Sequence, residues 1–273
     1  MKVLCYGSLN LDHIYNVLEF IRPGETLQAL SVEQHCGGKG FNQAVAAAKA
    51  GLPVYLAGCI GPDGGIFREI CRTVGVDDTY LREENLPTGS AVIQVNQRGE
   101  NCILLYGGAN QAVTEEQIEQ TLENFQPGDV LIAQNEISQL PKLLSCAEKH
   151  GLRIAWNPSP MNEKITPDML SSVNWLFVNE VEAEQLCGSN QPEICLDRLS
   201  ALCPKGAVIL TLGSAGSCYA GPEGHFFQPA FSVQAVDTTA AGDTFTGYFL
   251  ASILKDGVPQ SALELASKAS PLA

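Results

Sequence analysis

The chain has 273 residues, 45% of them apolar and 17% charged. That is enough to bury a core without disulfide staples, and the composition is not that of a disordered chain. Thirty acidic residues against sixteen basic ones give a formal charge of −14, which excludes broad capture of nucleic acid or an anionic membrane.

In chain order, apolar runs predict buried strands at 2–6, 53–59, 129–134, 153–157, 174–178 and 207–212. Segments at helical spacing lie between them, at 39–50, 63–74, 114–124, 138–150, 180–187, 193–203 and 241–254. Gly51, Gly151 and Gly257 stand where a helix end favours a left-handed residue. This alternation predicts an α/β fold with a mostly parallel sheet covered on both faces. Two places break the rhythm. Residues 26–34 read as short and extended, and residues 89–106 as two strands around a Gln97-Arg98-Gly99-Glu100 turn. A hairpin inside a βα series predicts a small β layer projecting from the main domain. Its apolar face needs cover from the domain, a ligand or another subunit.

No stretch reaches the roughly twenty apolar residues of a membrane span. The N-terminal apolar run is too short for a signal sequence, so a cytoplasmic setting is expected. Ten cysteines show neither C-x-x-C spacing nor a histidine at zinc-ligand distance. Cys5, Cys59, Cys102 and Cys218 are expected as buried free thiols, and Cys36 as a small filler beside a Gly-rich turn.

Several segments carry candidate chemistry. Gly7-Ser8-Leu9-Asn10-Leu11-Asp12-His13 follows the first strand, where ligands of parallel sheets bind. Asn10 and Asp12 share strand alternation and suit a polyol; a polar turn is the alternative. Gly37-Gly38-Lys39-Gly40-Phe41-Asn42-Gln43 opens an Ala-rich helix and lacks the Walker A spacing. Its Asn42 amide suits vicinal hydroxyls. Glu136 follows strand 129–134. Asn179, Glu180 and Glu182 follow strand 174–178. An N-x-x-E at a helix start suits water around Mg²⁺, or simply the first helical turn. Thr211-Leu212-Gly213-Ser214-Ala215-Gly216 suits phosphates, or a tight strand-to-strand turn. In Asp237-Thr238-Thr239-Ala240-Ala241-Gly242-Asp243 a polar turn runs into a helix. Small residues there let backbone N–H groups reach an anion. Asp243 either satisfies the helix start or takes a proton from an attacking hydroxyl.

Taken together, GSLNLDH at 7–13, GGKGFNQAVAAAKAG at 37–51, NE at 135–136, NEVEAE at 179–184, TLGSAG at 211–216 and DTTAAGDTFTG at 237–247 resemble the phosphofructokinase-B-type (ribokinase-like) carbohydrate kinases. The resemblance implies a Rossmann-type three-layer sandwich, a single kinase domain over 1–273, and a β lid at about 11–34 and 88–106. It implies ATP-dependent phosphorylation of D-ribose at O5, or of another pentose, ketohexose or nucleoside. Asn10, Asp12, Gly38, Lys39, Asn42 and Glu136 would line the sugar pocket, with Asp243 as base and Ala240, Ala241 and Gly242 as the anion hole. Asn179, Thr211, Gly213, Ser214 and Gly216 would face ATP, with Glu182 holding Mg²⁺ through water. Asp237 and Thr239 would serve an activating monovalent cation, usually K⁺. The lid would clasp a second subunit in a homodimer. Phe41 falls either in the sugar pocket or in the core. The family continues past the helix equivalent to 259–269 with a loop and a further helix, where this sequence reads Ser270-Pro271-Leu272-Ala273. That departure implies an incomplete cation site and adenine pocket, and hence an alternative: a sugar-binding protein with impaired catalysis.

Overall fold

Strands that are apolar on both faces form the middle of the molecule, because only a sheet covered by helices on each side can bury them. The computed structural model describes residues 1–231 and 240–272. The chain begins with β1 (Val3–Tyr6), β2 (Asn10–Asn16), β3 (Ser31–Gly37), α1 (Lys39–Lys49), β4 (Val54–Ile60), α2 (Gly65–Val74) and β5 (Asp77–Glu83). It continues through β6 (Gly89–Val95), β7 (Asn101–Tyr106), α3 (Glu115–Leu122), β8 (Val130–Ala133), α4 (Leu140–Lys149), β9 (Arg153–Trp156) and α5 (Pro167–Ser171). It closes with β10 (Trp175–Asn179), α6 (Glu180–Cys187), α7 (Pro192–Leu202), β11 (Ala207–Thr211), β12 (Gly216–Gly221), β13 (Gly224–Pro229), α8 (Ala241–Asp256) and α9 (Pro259–Ala269).

The main sheet runs β13-β12-β11-β10-β9-β8-β1-β4-β5. It is parallel from β11 to β5, and β12 and β13 add an antiparallel edge. Strand alternation divides the core into two layers. Val3 and Cys5 of β1 pack on the side of Ala44, Phe249 and Leu263, while Leu4 and Tyr6 pack on the side of Ile118, Leu143 and Leu199. The result is the expected α/β three-layer sandwich with its mostly parallel central sheet. β1 pairs with β4 on one side and β8 on the other, so successive connections leave it in opposite directions. A crevice opens outside the carboxyl ends of strands at such a switch point.

A second sheet, ordered β3-β2-β6-β7, projects beside it. The hairpin expected at 89–106 is β6 and β7, with Gly99 in the turn at φ 77°. The strand expected at 26–34 forms instead at Ser31–Gly37. Its register is set by pairing with β2, from Asn10 opposite Gly37 to Asn16 opposite Ser31, rather than by the apolar Leu27, which is exposed. β7 is exposed along its whole length, so Cys102 is an exposed thiol and not a buried one. Cys36 and Cys218 are half-buried, while Cys5 and Cys59 are buried. Phe41 belongs to the core, edge-on to Phe67 with ring centroids 4.9 Å apart.

Two helices carry the site. Gly38, at φ 93°, starts α1 where a Cβ would lie 2.7 Å from the Ser8 carbonyl and 2.8 Å from the Asn10 nitrogen. That contact admits only glycine and presses the α1 start onto the loop after β1. α8 crosses α1 as closely: a Cβ on Gly247 would come within 2.6 Å of the Ala46 Cβ. Gly247 and Asp243 are four residues apart and share the face turned to α1. Gln43, Ala46 and Ala47 share the answering face of α1.

Candidate active site

At the switch point, Tyr6 of β1 is opposite Ala133 of β8, so the next residues of each strand meet in the crevice. The Ser8 hydroxyl donates to Glu136 Oε2, which also accepts from the Lys39 N–H at 3.3 Å. Asn10 is buried, and its Oδ1 accepts from Asn110 Nδ2 at 2.8 Å. Asn110 also bonds the Leu9 N–H and carbonyl, at 3.0 and 3.2 Å. It therefore pins the backbone that aims Asn10, a role the sequence reading did not assign. Asn10 and Glu136 line a cavity of about 500 Å³ together with Asn110, Tyr106 and Asn135. Asp12, two residues on, lies against Gly37, where a Cβ would come 2.0 Å from its carboxylate oxygen. Burial pushes the Asp12 carboxyl up to about 6, Glu136 pushes in the same direction, and His35 partly opposes both.

Asp243 sits in the first turn of α8 and is 7% exposed. Gln43 Nε2 donates to its Oδ1 at 2.9 Å and Asn42 Nδ2 to its Oδ2 at 3.2 Å. Asn42 therefore reaches the carboxylate itself. Burial raises the Asp243 pKa. Lys39, Gln43 and Asn42 work against that rise, and Glu136 adds to it. The carboxylate is a stronger base than an exposed aspartate, yet it keeps a cation and two amide donors to steady its charge.

The helix itself begins at Ala241, with Ala240 as the preceding cap residue at φ 64°. A left-handed alanine costs about 1 kcal/mol and turns the chain sharply into α8. Among the described residues the N–H groups of Ala241, Gly242 and Asp243 meet no acceptor, and the first bond of the helix start runs from the Thr244 N–H to the Ala240 carbonyl. A Cβ on Gly242 would meet nothing within 4 Å, so that position faces open space. Aligned N–H groups at the positive end of a 16-residue helix form an anion site.

Lys39, Asn179, Glu182, Thr211, Gly242 and Asp243 converge on a cavity of about 240 Å³. Asn179, Thr211, Gly213, Gly216 and Gly242 line a neighbouring hollow of about 370 Å³ that also meets Ser270. Ser214 is exposed and lines neither. The turn after β11 is a tight strand-to-strand connection to antiparallel β12, and it still presents Gly213 to the hollow. Asn179 and Glu182 form a reciprocal capping box: Glu182 N–H to Asn179 Oδ1 at 2.8 Å, Asn179 N–H to Glu182 Oε2 at 3.0 Å. One carboxylate oxygen thus fixes α6, and Glu182 still borders the cavity. Asp237 and Thr239 lie outside the described residues. Among the described residues no group of three or more His, Cys, Asp or Glu side chains could hold a metal ion. Mg²⁺ commonly takes one carboxylate plus waters and phosphates, and the Glu182 oxygen beside the anion site fits that role.

The family described as pfkB family carbohydrate kinase matches residues 1–273. A ribokinase of Haemophilus influenzae is 34% identical over 275 residues, covering 97% of this chain and 90% of that protein. A deoxyribokinase of Salmonella typhi is 32% identical over 281 residues, with 97% and 90% covered. Among solved structures, Arabidopsis thaliana ribokinase complexed with ribose and ATP superposes with a TM-score of 0.87 at 29% identity, covering 99% of this chain and 91% of the other.

Proposed function

The chain belongs to the pfkB family of carbohydrate kinases, and on that premise we propose that it transfers the γ-phosphoryl group of ATP to O5 of D-ribose. The observation that carries this reading is Asp243, a buried carboxylate of raised pKa held by Asn42 and Gln43 at the N-terminus of α8. A sugar held by Asn10, Asp12 and Glu136 presents its hydroxyl to Asp243. The carboxylate takes the hydroxyl proton as the oxygen attacks phosphorus. The N–H groups of Ala240, Ala241 and Gly242 receive the charge that builds on the equatorial phosphoryl oxygens. Gly38 holds the close approach of α1 to the sugar loop, and Lys39 balances the clustered carboxylates. Asn179, Thr211, Gly213 and Gly216 bracket the nucleotide. Glu182 would hold Mg²⁺ through water, and the ion would screen the charge on the phosphates. A monovalent cation at Asp237 and Thr239 completes the proposed set.

The deoxyribokinase relative favours 2-deoxyribose as the second acceptor to consider. A coupled ADP-release assay over ribose, 2-deoxyribose, fructose and nucleosides, with and without K⁺, tests the reading. Ribose is expected to give the highest kcat/KM, with the product phosphate on O5 by NMR. A preference for a nucleoside or ketohexose by tenfold or more, about 1.4 kcal/mol, contradicts it.

The second sheet supports a dimer. Ile103, Leu104, Leu105 and Tyr106 of β7 are 55%, 71%, 51% and 55% exposed, and such a row on one strand calls for cover. A second copy of the chain supplies it, closing the lid over each sugar pocket. The ten cysteines, free wherever described, suit a reducing cytoplasm.

A further inference from the structure

Gln43 and Gln134 are 0% and 1% exposed, and long polar side chains are rarely buried so completely without a task. Their orientation follows from one fixed point. The Phe177 carbonyl can only accept, so Asn157 turns its Nδ2 to it, at 3.0 Å. Asn157 Oδ1 then faces Gln43 Nε2 at 3.4 Å. The same Nε2 reaches Asp243 Oδ1 at 2.9 Å. Gln43 Oε1 is left to accept from Gln134 Nε2, at 2.7 Å. Gly7 makes room for this partner, since a Cβ there would sit 1.9 Å from Gln134 Oε1. Every amide in the chain has one admissible direction.

We infer that Gln43, braced by Asn157 and Gln134, is a positioning residue that caps Asp243 Oδ1 with a donor and reserves Oδ2 as the oxygen that receives the substrate proton. In the transfer the substrate O–H proton passes to Oδ2, the new O–P bond forms, and the bridging P–O bond to ADP breaks with its electron pair. Oδ1 takes the shorter bond, at 2.9 Å, from the fully buried Gln43, whereas Oδ2 takes the longer one, at 3.2 Å, from the half-buried Asn42, so Oδ2 is the oxygen more easily given up to a proton. Among the described residues, the other ionisable groups facing the carboxylate are Lys39 of α1, Glu136 after β8 and the buried Cys5 thiol of β1. Of these, Lys39 alone favours the charged form.

This inference rests on Asp243 being the base, and three variants separate the two ideas. Gln43→Met keeps the volume and removes the donor. The expected result is a kcat lower by about tenfold or more, a sugar KM within about threefold, and an acid limb of the kcat–pH profile moved upward by about half a unit or more. Gln134→Met, which removes only the brace, is expected to move the limb the same way by less. It also serves as the test if Gln43→Met fails to fold. An acid limb that stays in place in whichever variant folds, whatever happens to kcat, overturns the positioning role. Asp243→Asn is the control: near-complete loss of turnover upholds the base and leaves Gln43 as the only point at issue, whereas wild-type turnover in that variant removes the base reading itself.

Discussion

Glu136 lies close enough to both Asp12 and Asp243 to raise the electrostatic cost of a charge on each. Asp12 records this most clearly. Its pKa moves from 3.8 to about 6, first through burial and then through Glu136. A raised aspartate pKa means that the unfolded chain ionises more readily than the folded one. The cost to stability is full above pH 6, falls as the pH drops, and vanishes below about pH 4. Asp12→Asn is therefore expected to raise the melting temperature at pH 8 by about 2–4 °C, since solvent screening limits the effect at a half-buried site. The gain at pH 5 should be smaller. The same variant should weaken ribose binding by about tenfold, the loss of one charge-assisted hydrogen bond. A melting temperature unchanged at pH 8 contradicts the placement of that charge. At this scale Asp243 and Glu136 were singled out from local motifs, and Asn42 was singled out for sugar hydroxyls rather than for the Asp243 carboxylate it reaches. Gln43 was quoted in a motif but not singled out, because its partners, Asp243 and Gln134, are 200 and 91 positions away, and no spacing rule reaches that far.

Elements succeed or fail as sequence signals according to how they are buried. β1, β4, β8, β9, β10 and β11 are covered on both faces and read as apolar runs. β2, β5 and β13 were not expected as strands. β2 is half-buried within the small sheet, β5 is an edge strand, and β13 alternates half-buried and exposed positions along the other edge. Their pairing comes from neighbours remote in sequence rather than from their own hydrophobicity. The start of α1 depends on backbone touching backbone. A Cβ on Gly40 would lie 2.5 Å from the Gly7 carbonyl carbon, an atom that cannot swing away. Gly40→Ala is expected to destabilise the fold by about 1–3 kcal/mol, as overpacking does, and to lower turnover by displacing Asn42 and Gln43. Urea denaturation checks the first effect, through the transition midpoint. A variant with the wild-type midpoint and activity would mean that α1 does not depend on this contact. At the other edge of the site, the Asn179–Glu182 box was legible as a first-turn pattern, and its two bonds show how one pair serves both helix and cavity.

At the scale of the molecule, the parallel sheet supplies the switch point and the small sheet stands beside it as the proposed cover. The exposed β7 row predicts that Leu104→Glu, which buries a charge in the proposed interface, yields monomers in light scattering where the parent chain gives dimers. Dimers of equal stability in that variant contradict the β7 interface. The projecting hairpin was visible in the sequence as a break in the βα rhythm, whereas β2 was not and β3 was expected a few residues early, since both are set by pairing across the sheet. All these scales serve one claim: Asp243 takes a proton from the sugar hydroxyl while the N-terminus of α8 holds the moving phosphoryl group. The most direct test measures ribose binding and ATP-dependent phosphorylation side by side in the parent chain and Asp243→Asn. The account predicts ribose affinity within a few-fold of the parent and turnover lower by about a hundredfold or more, the scale of a lost general base. Turnover at the parent rate would contradict it.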